Sequence, residues 1–341
     1  MTNRHVVVYS LNPPSWRWFE GRFDGLHWHF FCTLPTRRLE RWLRLRVFGR
    51  IAAGFEAAWA ARRLDAALVI AVDPRAALWY AFAAALLDRR RRLIAYAFNF
   101  PELPVGFRHR FMTWAFRRPE RFVVFSTVEM DLYARYFDIP REKFRMHRWA
   151  VGVPEVAPQA LATPRAYVSA IGGNGRDYRT LFDAARRVPH IPIEVVARPE
   201  NLAGLECPPN VEVRCNVPNP VAMRLLDDSR FMVLPLRNET IPVGHVTLVA
   251  AMRLGKASIV TASEGVRDYL GGDPHALTCA AGDAAALADA MQKLWNDDAL
   301  TRQLGLRAKA YAERCCSEAT AIEHLRGLLA DAGLSGVSRD R

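Results

Sequence analysis

Two glycine-bearing loops hold the residue types that could seat an anion. The first, GGNGRDYRTL at 172–181, has three glycines that free the backbone at the end of a strand-like run, and Arg176 sets a permanent positive charge beside them. The second, RNETIPVGH at 237–245, follows FMVLPL and leads into the helical pattern VTLVAAMRLGK. Gly244 allows close backbone approach there, and the N–H groups of Gly244, His245, Val246 and Thr247 would stand at a helix N-terminus, where donors and dipole attract phosphate. Each loop has a plainer reading too: Gly244 breaks the chain and Thr247 or His245 caps a helix, while Asp177 caps the helix that begins at Tyr178. Two carboxylates fall just past other strand-like runs, Asp73 after ALVIAV and Glu102 after AYAFNFP. Either could bind a hydroxyl or act as a catalytic base. The alternatives are an Asp-Pro turn for Asp73 and a solvated loop charge for Glu102. Ser126 and Glu129 have capping-box spacing and read as a helix start. His27 and His29 share one face of a strand and read as core residues rather than metal ligands.

The elements that would position these loops alternate throughout. Strand-like runs at 5–10, 26–34, 67–72, 92–98 and 122–126 are separated by helical patterns at 37–63, 75–88, 107–118 and 128–137. After 148–166, which has three prolines and no period, runs at 166–173, 193–197, 211–215, 231–236, 257–261 and 275–280 alternate with helical patterns at 177–187, 219–228, 246–254 and 283–296. Helices close the chain at 299–314 and 318–330. Such alternation predicts an α/β class with parallel sheets. Ligands of these sheets bind beyond the carboxyl ends of the strands, where the loops above lie.

Composition narrows the classes further. The 341 residues are 51% hydrophobic and 24% charged, which suits globular domains and excludes low-complexity or collagen-like chains. Six cysteines without a C-x-x-C pair read as reduced thiols, and the longest apolar run, AALWYAFAAALL from Ala76, is too short for a membrane span. A cytoplasmic protein is expected. The net charge of +12 is lopsided: residues 1–150 carry 26 Lys+Arg against 13 Asp+Glu, whereas residues 151–341 carry 21 against 22. The basic half should therefore face something anionic. Within it, TRRLERWLRLRVFGRIAAGFEAAW at 36–59 sets arginines beside apolar residues, the pattern of a helix on an anionic membrane surface. No nucleic-acid-binding motif is present, so nucleic acid is not an expected partner.

The segments YVSAIGGNGRDYRTLFDAARRV, FMVLPL, GHVTLVAAMRLGKASIVTASEGVRDYL and AGDAAALADAMQKLWNDDALTRQLGLRAKAYAER together resemble the donor domain of GT-B glycosyltransferases, especially the large retaining, family 4-like group of bacterial polysaccharide and lipid-sugar enzymes. The resemblance covers most of 166–330 and extends loosely to RFVVFSTVEMDLYARYFDIPREKFRMHR at 121–148. It implies two Rossmann-like domains facing each other across a cleft: an acceptor domain at 1–150, a linker at 151–165, a nucleotide-sugar domain at 166–315, and a C-terminal helix and tail at 316–341 packing back on the first domain. It implies transfer of a sugar from a UDP- or GDP-type donor to a hydroxyl of a lipid-linked or membrane-proximal glycan, with no cofactor and no metal. Gly172, Gly173, Asn174, Arg176, Gly244, His245, Val246 and Thr247 would bind the donor. Asn12, in the stiff loop LNPPSWRW that replaces the family's glycine-rich first loop, would reach the acceptor. The sequence departs from the family where two glutamates eight positions apart are usual: Pro242 and Ala250 stand there, so Glu239 or Thr247 substitutes or the nucleotide is held differently. Asn174 replaces the arginine expected after the second glycine. A nucleotide-sugar epimerase of the same fold and an inactive donor-binding scaffold are the alternatives.

Overall fold

The computed structural model describes residues 4–11, 17–32, 47–88, 90–158, 166–237, 242–272 and 274–334. The chain divides into two compact units, Met1–His147 with Ile322–Arg341, and Arg148–Ala321.

In unit 1, strands β1 (His5–Ser10), β2 (His27–Cys32), β3 (Leu68–Val72), β4 (Arg92–Tyr96), β5 (Arg121–Val124) and β6 (Phe144–Met146) form one sheet in the order β2-β1-β3-β4-β5-β6, every pair parallel. Parallel neighbours need crossovers, which helices α1 (Val47–Arg63), α2 (Pro74–Leu87), α3 (Gly106–Phe116) and α4 (Thr127–Tyr136) supply. Because helices cover the sheet, a central strand reads as a continuous apolar run: all five residues of LVIAV in β3 are buried. An aromatic cluster anchors the core, with Phe98 meeting Phe116 and Phe122 edge-on, each at 4.8 Å. The expected helix over 37–63 is described from Val47 onward, and its arginine-rich start lies outside the described residues. The short strand β6 was not expected, since FRM sits inside the charged run REKFRMHR.

In unit 2, strands β7 (Val168–Ile171), β8 (Ile193–Ala197), β9 (Val211–Cys215), β10 (Met232–Leu234), β11 (Ser258–Thr261) and β12 (Leu277–Cys279) form a second parallel sheet, in the order β12-β11-β10-β7-β8-β9. Around it lie α5 (Tyr178–Arg187), α6 (Asn219–Asp228), α7 (His245–Arg253), the single turn α8 (Arg267–Leu270), α9 (Ala284–Asn296), α10 (Asp298–Cys315) and the start of α11 (Glu318–Asp331). Aspartates start three of these helices: Asp177, Asp283 and Asp297 each accept a backbone N–H of the first turn. Trp149, Val151 and Val156, in the proline-rich stretch, pack on the core of this unit. From Ile322 onward α11 belongs to unit 1, where His324 stacks on His147 at 4.5 Å. No described helix is long and apolar enough to cross a membrane.

Strand order reverses once in each sheet. In unit 1 the chain steps from β1 to β2 on one side and then to β3 on the other; in unit 2 it runs β7-β8-β9 outward and returns with β10 on the opposite flank of β7. Adjacent loops diverge at such points and leave a crevice at the strand ends. The loops after β7 and β10 are the two anion-seating candidates of the sequence.

The cap of α4 is buried. Ser126 accepts the Glu129 N–H at 3.2 Å, and the Glu129 carboxylate accepts the Phe125 N–H at 2.8 Å and the Tyr133 hydroxyl at 3.3 Å. Desolvation outweighs these bonds and pushes the carboxyl up to about 7. The folded state thus holds a proton that the unfolded chain releases near pH 4.5, so unit 1 loses stability as pH rises from about 4.5 to 7, by on the order of 2–3 kcal/mol. Denaturation across that window measures the slope, and Glu129→Gln is expected to flatten it; an unchanged slope would assign it to other groups. In unit 2, the buried Asn210 amide donates to the carbonyls of Ala185, Val188 and Ile191 where α5 ends. Asn210→Ala removes this shared donor, leaving Ala185 O and Val188 O with their backbone partners alone, and is expected to destabilise unit 2 by about 1–3 kcal/mol in urea titrations.

Candidate functional site: a cationic crevice in unit 2

The turn after β7 folds back on itself. Gly172, with φ 125°, stands where a side chain would meet the guanidinium of Arg176: an added Cβ would lie 2.8 Å from Cζ. That absence lets Arg176 tuck beneath the turn, where it is 5% exposed. Its Nε donates to Ile171 O at 3.2 Å, its Nη1 to Asn174 O at 2.8 Å and its Nη2 to Thr247 Oγ1 at 2.8 Å. Three of the five guanidinium N–H groups are thereby engaged, all on neutral oxygens. Among the described residues no carboxylate pairs with it. Burial pulls the group down to about 10, so it remains cationic at neutral pH.

The turn is fastened to the loop after β10. Arg176 and Leu236 form an isolated antiparallel bridge, Asp177 N–H donates to Pro235 O at 3.0 Å, and Arg237 N–H donates to Gly175 O at 3.0 Å. Thr261, at the end of β11, holds Leu236 N–H through its hydroxyl at 3.0 Å. Three adjacent strand ends, of β11, β10 and β7, are thus tied together.

Helix α7 points its N-terminus at the same place. Its N-cap is Gly244, in the left-handed region at φ 98°, where an added Cβ would press on both methyls of Leu236 at 3.0 Å. Among the described residues no side chain caps this helix. The amides of His245, Val246 and Thr247 therefore precede the first intrahelical acceptor, and Val246 is exposed beside them. His245 is buried and stacks on Tyr269 at 5.7 Å and 15°. Burial and the charge of Arg176 hold its imidazole down at about 4, hence neutral at pH 7.

Of the residues singled out from sequence, Gly172, Gly173, Asn174, Arg176, Gly244, His245, Val246 and Thr247 converge here. Glu239 lies outside the described residues, as does Asn12 in unit 1. Asp73 and Glu102 belong to unit 1. Asp73 sits at the β1/β3 reversal with φ 88° and ψ 141°, but its carboxylate caps α2 through Arg75 N–H at 2.7 Å and clasps the Arg75 side chain at 2.6 and 2.9 Å. Both oxygens are occupied, so Asp73 serves as cap and ion-pair partner and is not poised as a base. Glu102 is exposed in a bend. Ala250 is buried in the apolar core of unit 2, with no polar replacement for a glutamate at that position. Among the described residues no group of three His, Cys, Asp or Glu is arranged to hold a metal.

One residue escaped the sequence reading. Arg198, the first residue after β8, is exposed, and its side chain lies over Gly173, with Nε 3.0 Å from where a Cβ would be. Its signal was a basic residue directly after the strand run IEVVA, a position equivalent to the glycine turn one strand away.

Comparison with known proteins bears on the fold. A family model for "Glycosyl transferases group 1" matches residues 167–297. No curated protein matches the chain. Among solved structures, Anabaena HepE in complex with UDP-glucose is 13% identical over 96% of this chain and 99% of its own, with a TM-score of 0.73. Sucrose-phosphate synthase from Thermosynechococcus elongatus is 16% identical over 96% and 100%, with a TM-score of 0.67. The lipopolysaccharide outer core galactosyltransferase WaaB, in its apo form, is 10% identical over 96% and 99%, with a TM-score of 0.62. At these identities the likeness concerns the fold, and it spans both sheets. The chain thus has the GT-B fold, and its residues 167–297 are similar to the group 1 glycosyltransferase domain.

Proposed function

We propose that the chain transfers a sugar from a nucleotide-diphosphate donor to a hydroxyl on a lipid-linked or membrane-proximal glycan, at the inner face of a membrane. The observation that carries the donor half is the buried Arg176, bound to Thr247 at a helix N-terminus, with no described side chain capping that helix and no described carboxylate to neutralise the charge. A buried cation beside a positive helix end is costly alone and favourable once an anion arrives. A diphosphate leaving group gains negative charge as the glycosidic bond breaks, so the same groups would stabilise the transition state more than the ground state. Arg198 would add a solvent-facing cation on the far side of the turn, in place of the arginine missing at Asn174. In this reading the amides and the two arginines meet the charge without a resident metal ion.

Support for the donor class comes from the Anabaena structure, which holds UDP-glucose. UDP-sugars are therefore the first donors to test, with GDP-sugars as the contrast. Support for the acceptor is the +13 charge of residues 1–150 together with the fold likeness to an outer core galactosyltransferase. A second reading, an inactive donor-binding protein, is favoured by one observation: Ala250 lies in the apolar core where the resemblance places a ribose-binding glutamate.

Calorimetry with UDP and UDP-sugars tests the donor half. Arg176→Ala is expected to weaken binding by about 1.5–3 kcal/mol, the scale of hydrogen bonds to charged groups, and Arg198→Ala by a smaller amount; unchanged dissociation constants would show the phosphates to lie elsewhere. Thr247→Val, which strips a partner from the buried guanidinium, is expected to lower unit 2 stability by about 1–3 kcal/mol without ligand. Incubation with donor alone separates the alternatives. A transferase yields at most slow hydrolysis, an epimerase converts the sugar, and tight binding without turnover across a broad acceptor panel supports the inactive reading.

A further inference from the structure

Three successive helices of unit 1 each carry an aromatic or apolar stripe whose outer members reach solvent while Phe55, Trp79 and Phe111 also pack on the core. On α1 it is Phe48, Phe55 and Trp59; on α2 it is Trp79, Phe82 and Leu86; on α3 it is Phe107, Phe111 and Trp114. Within each helix these positions are three, four or seven apart and so lie on one side. Ring contacts join the stripes into one surface: Phe55 meets Phe82 at 6.1 Å, Trp79 meets Phe111 at 6.0 Å, and Phe82 meets Trp114 at 6.5 Å. The outer members remain in solvent, with Phe107 82% exposed, Leu86 67% and Trp59 57%. An isolated exposed leucine means little, but a contiguous aromatic surface of this extent marks a binding face.

The charge around it selects the partner. From Phe48 to Arg118 the sequence has twelve arginines and five acidic residues. Three of those acids are already held by neighbours, Asp73 by Arg75, and Asp65 and Asp88 by Arg91. Arg63, Arg90, Arg108, Arg110 and Arg117 are exposed. A second copy presenting the same face would set arginine against arginine. For a nucleic acid the sequence carries no recognition motif. Tryptophan and phenylalanine among arginines match instead the boundary between lipid headgroups and acyl chains, where apolar rings bury and guanidinium groups remain beside phosphate.

We infer that the outward face of α1, α2 and α3 is the surface by which this protein docks on an anionic phospholipid bilayer. The inference rests on the membrane reading above and deepens it, by moving the contact from the arginine-rich 36–50 segment to a preformed three-helix surface. Docking would need no refolding, because the rings are already packed on one another.

The full-length protein is mixed with vesicles of phosphatidylcholine alone and of phosphatidylcholine with phosphatidylglycerol, and the bound fraction is read by sedimentation. Wild type is expected to bind the anionic vesicles, less so as salt rises. Phe107→Ser with Trp114→Ser is expected to lower the partition coefficient by about tenfold or more, and Arg108→Gln with Arg110→Gln to reduce the preference for anionic lipid. All four residues lie on the surface, and thermal melting checks that the variants keep wild-type stability. Wild type that ignores anionic vesicles overturns both this inference and the membrane reading. Equal binding by wild type and the aromatic variant overturns this inference alone and returns the contact to the 36–50 segment. Self-association of the wild type that the aromatic variant abolishes, without vesicle binding, makes the face a protein interface and equally overturns the inference.

Discussion

A positive charge buried without a described carboxylate partner sets the character of unit 2. Arg176 is held by two carbonyl oxygens and one hydroxyl, which satisfy hydrogen bonds but cancel no charge. The nearest dipole, the N-terminus of α7, adds to the positive potential. Burial, with the charge of Arg176, keeps His245 neutral, so the crevice does not accumulate a further cation there at physiological pH. An arrangement of this kind is stable because the surrounding turn is over-determined: Gly172 makes room, the Arg176–Leu236 bridge fastens it, and Thr247 fixes the guanidinium against the helix.

The topology explains why that charge falls where it does. Reversal of strand order between β7 and β10 opens the crevice, and both loops that border it arise from adjacent strands. In unit 1 the equivalent reversal lies between β1 and β3, and Asp73 occupies it with a backbone conformation that side-chain-bearing residues rarely adopt. There the carboxylate is cancelled by Arg75, whereas in unit 2 no described carboxylate matches the cation. The contrast between the two reversal points is what favours unit 2 in the proposed reading as the place for an anionic ligand.

Much of this was legible in the sequence. Strands buried on both faces give near-continuous apolar runs, so LVIAV and IEVVA could be placed to within a residue, while the half-exposed edge strand VEVRC was marked by its alternation instead. Helix starts were legible where an aspartate or serine supplied the cap, as at Asp177 and Ser126. Strand β6 was hidden because three residues flanked by charges carry too little pattern. The convergence of the two glycine loops followed from strand ends alone. The depth of Arg176 did not, since burial depends on the space left by Gly172 four residues earlier. Arg198 was missed because its proximity to Gly173 is set by β7–β8 pairing, which local sequence does not display. The aromatic face of α1–α3 was likewise invisible helix by helix: each stripe alone resembles the buried side of an ordinary crossover helix.

The most direct measurement is a crystal structure of the protein soaked with UDP. Density for the diphosphate within hydrogen-bond reach of the His245, Val246 and Thr247 amides, close over Arg176, is the predicted result. A nucleotide whose phosphates lie away from the N-terminus of α7, with that crevice closed by side chains, would contradict the account.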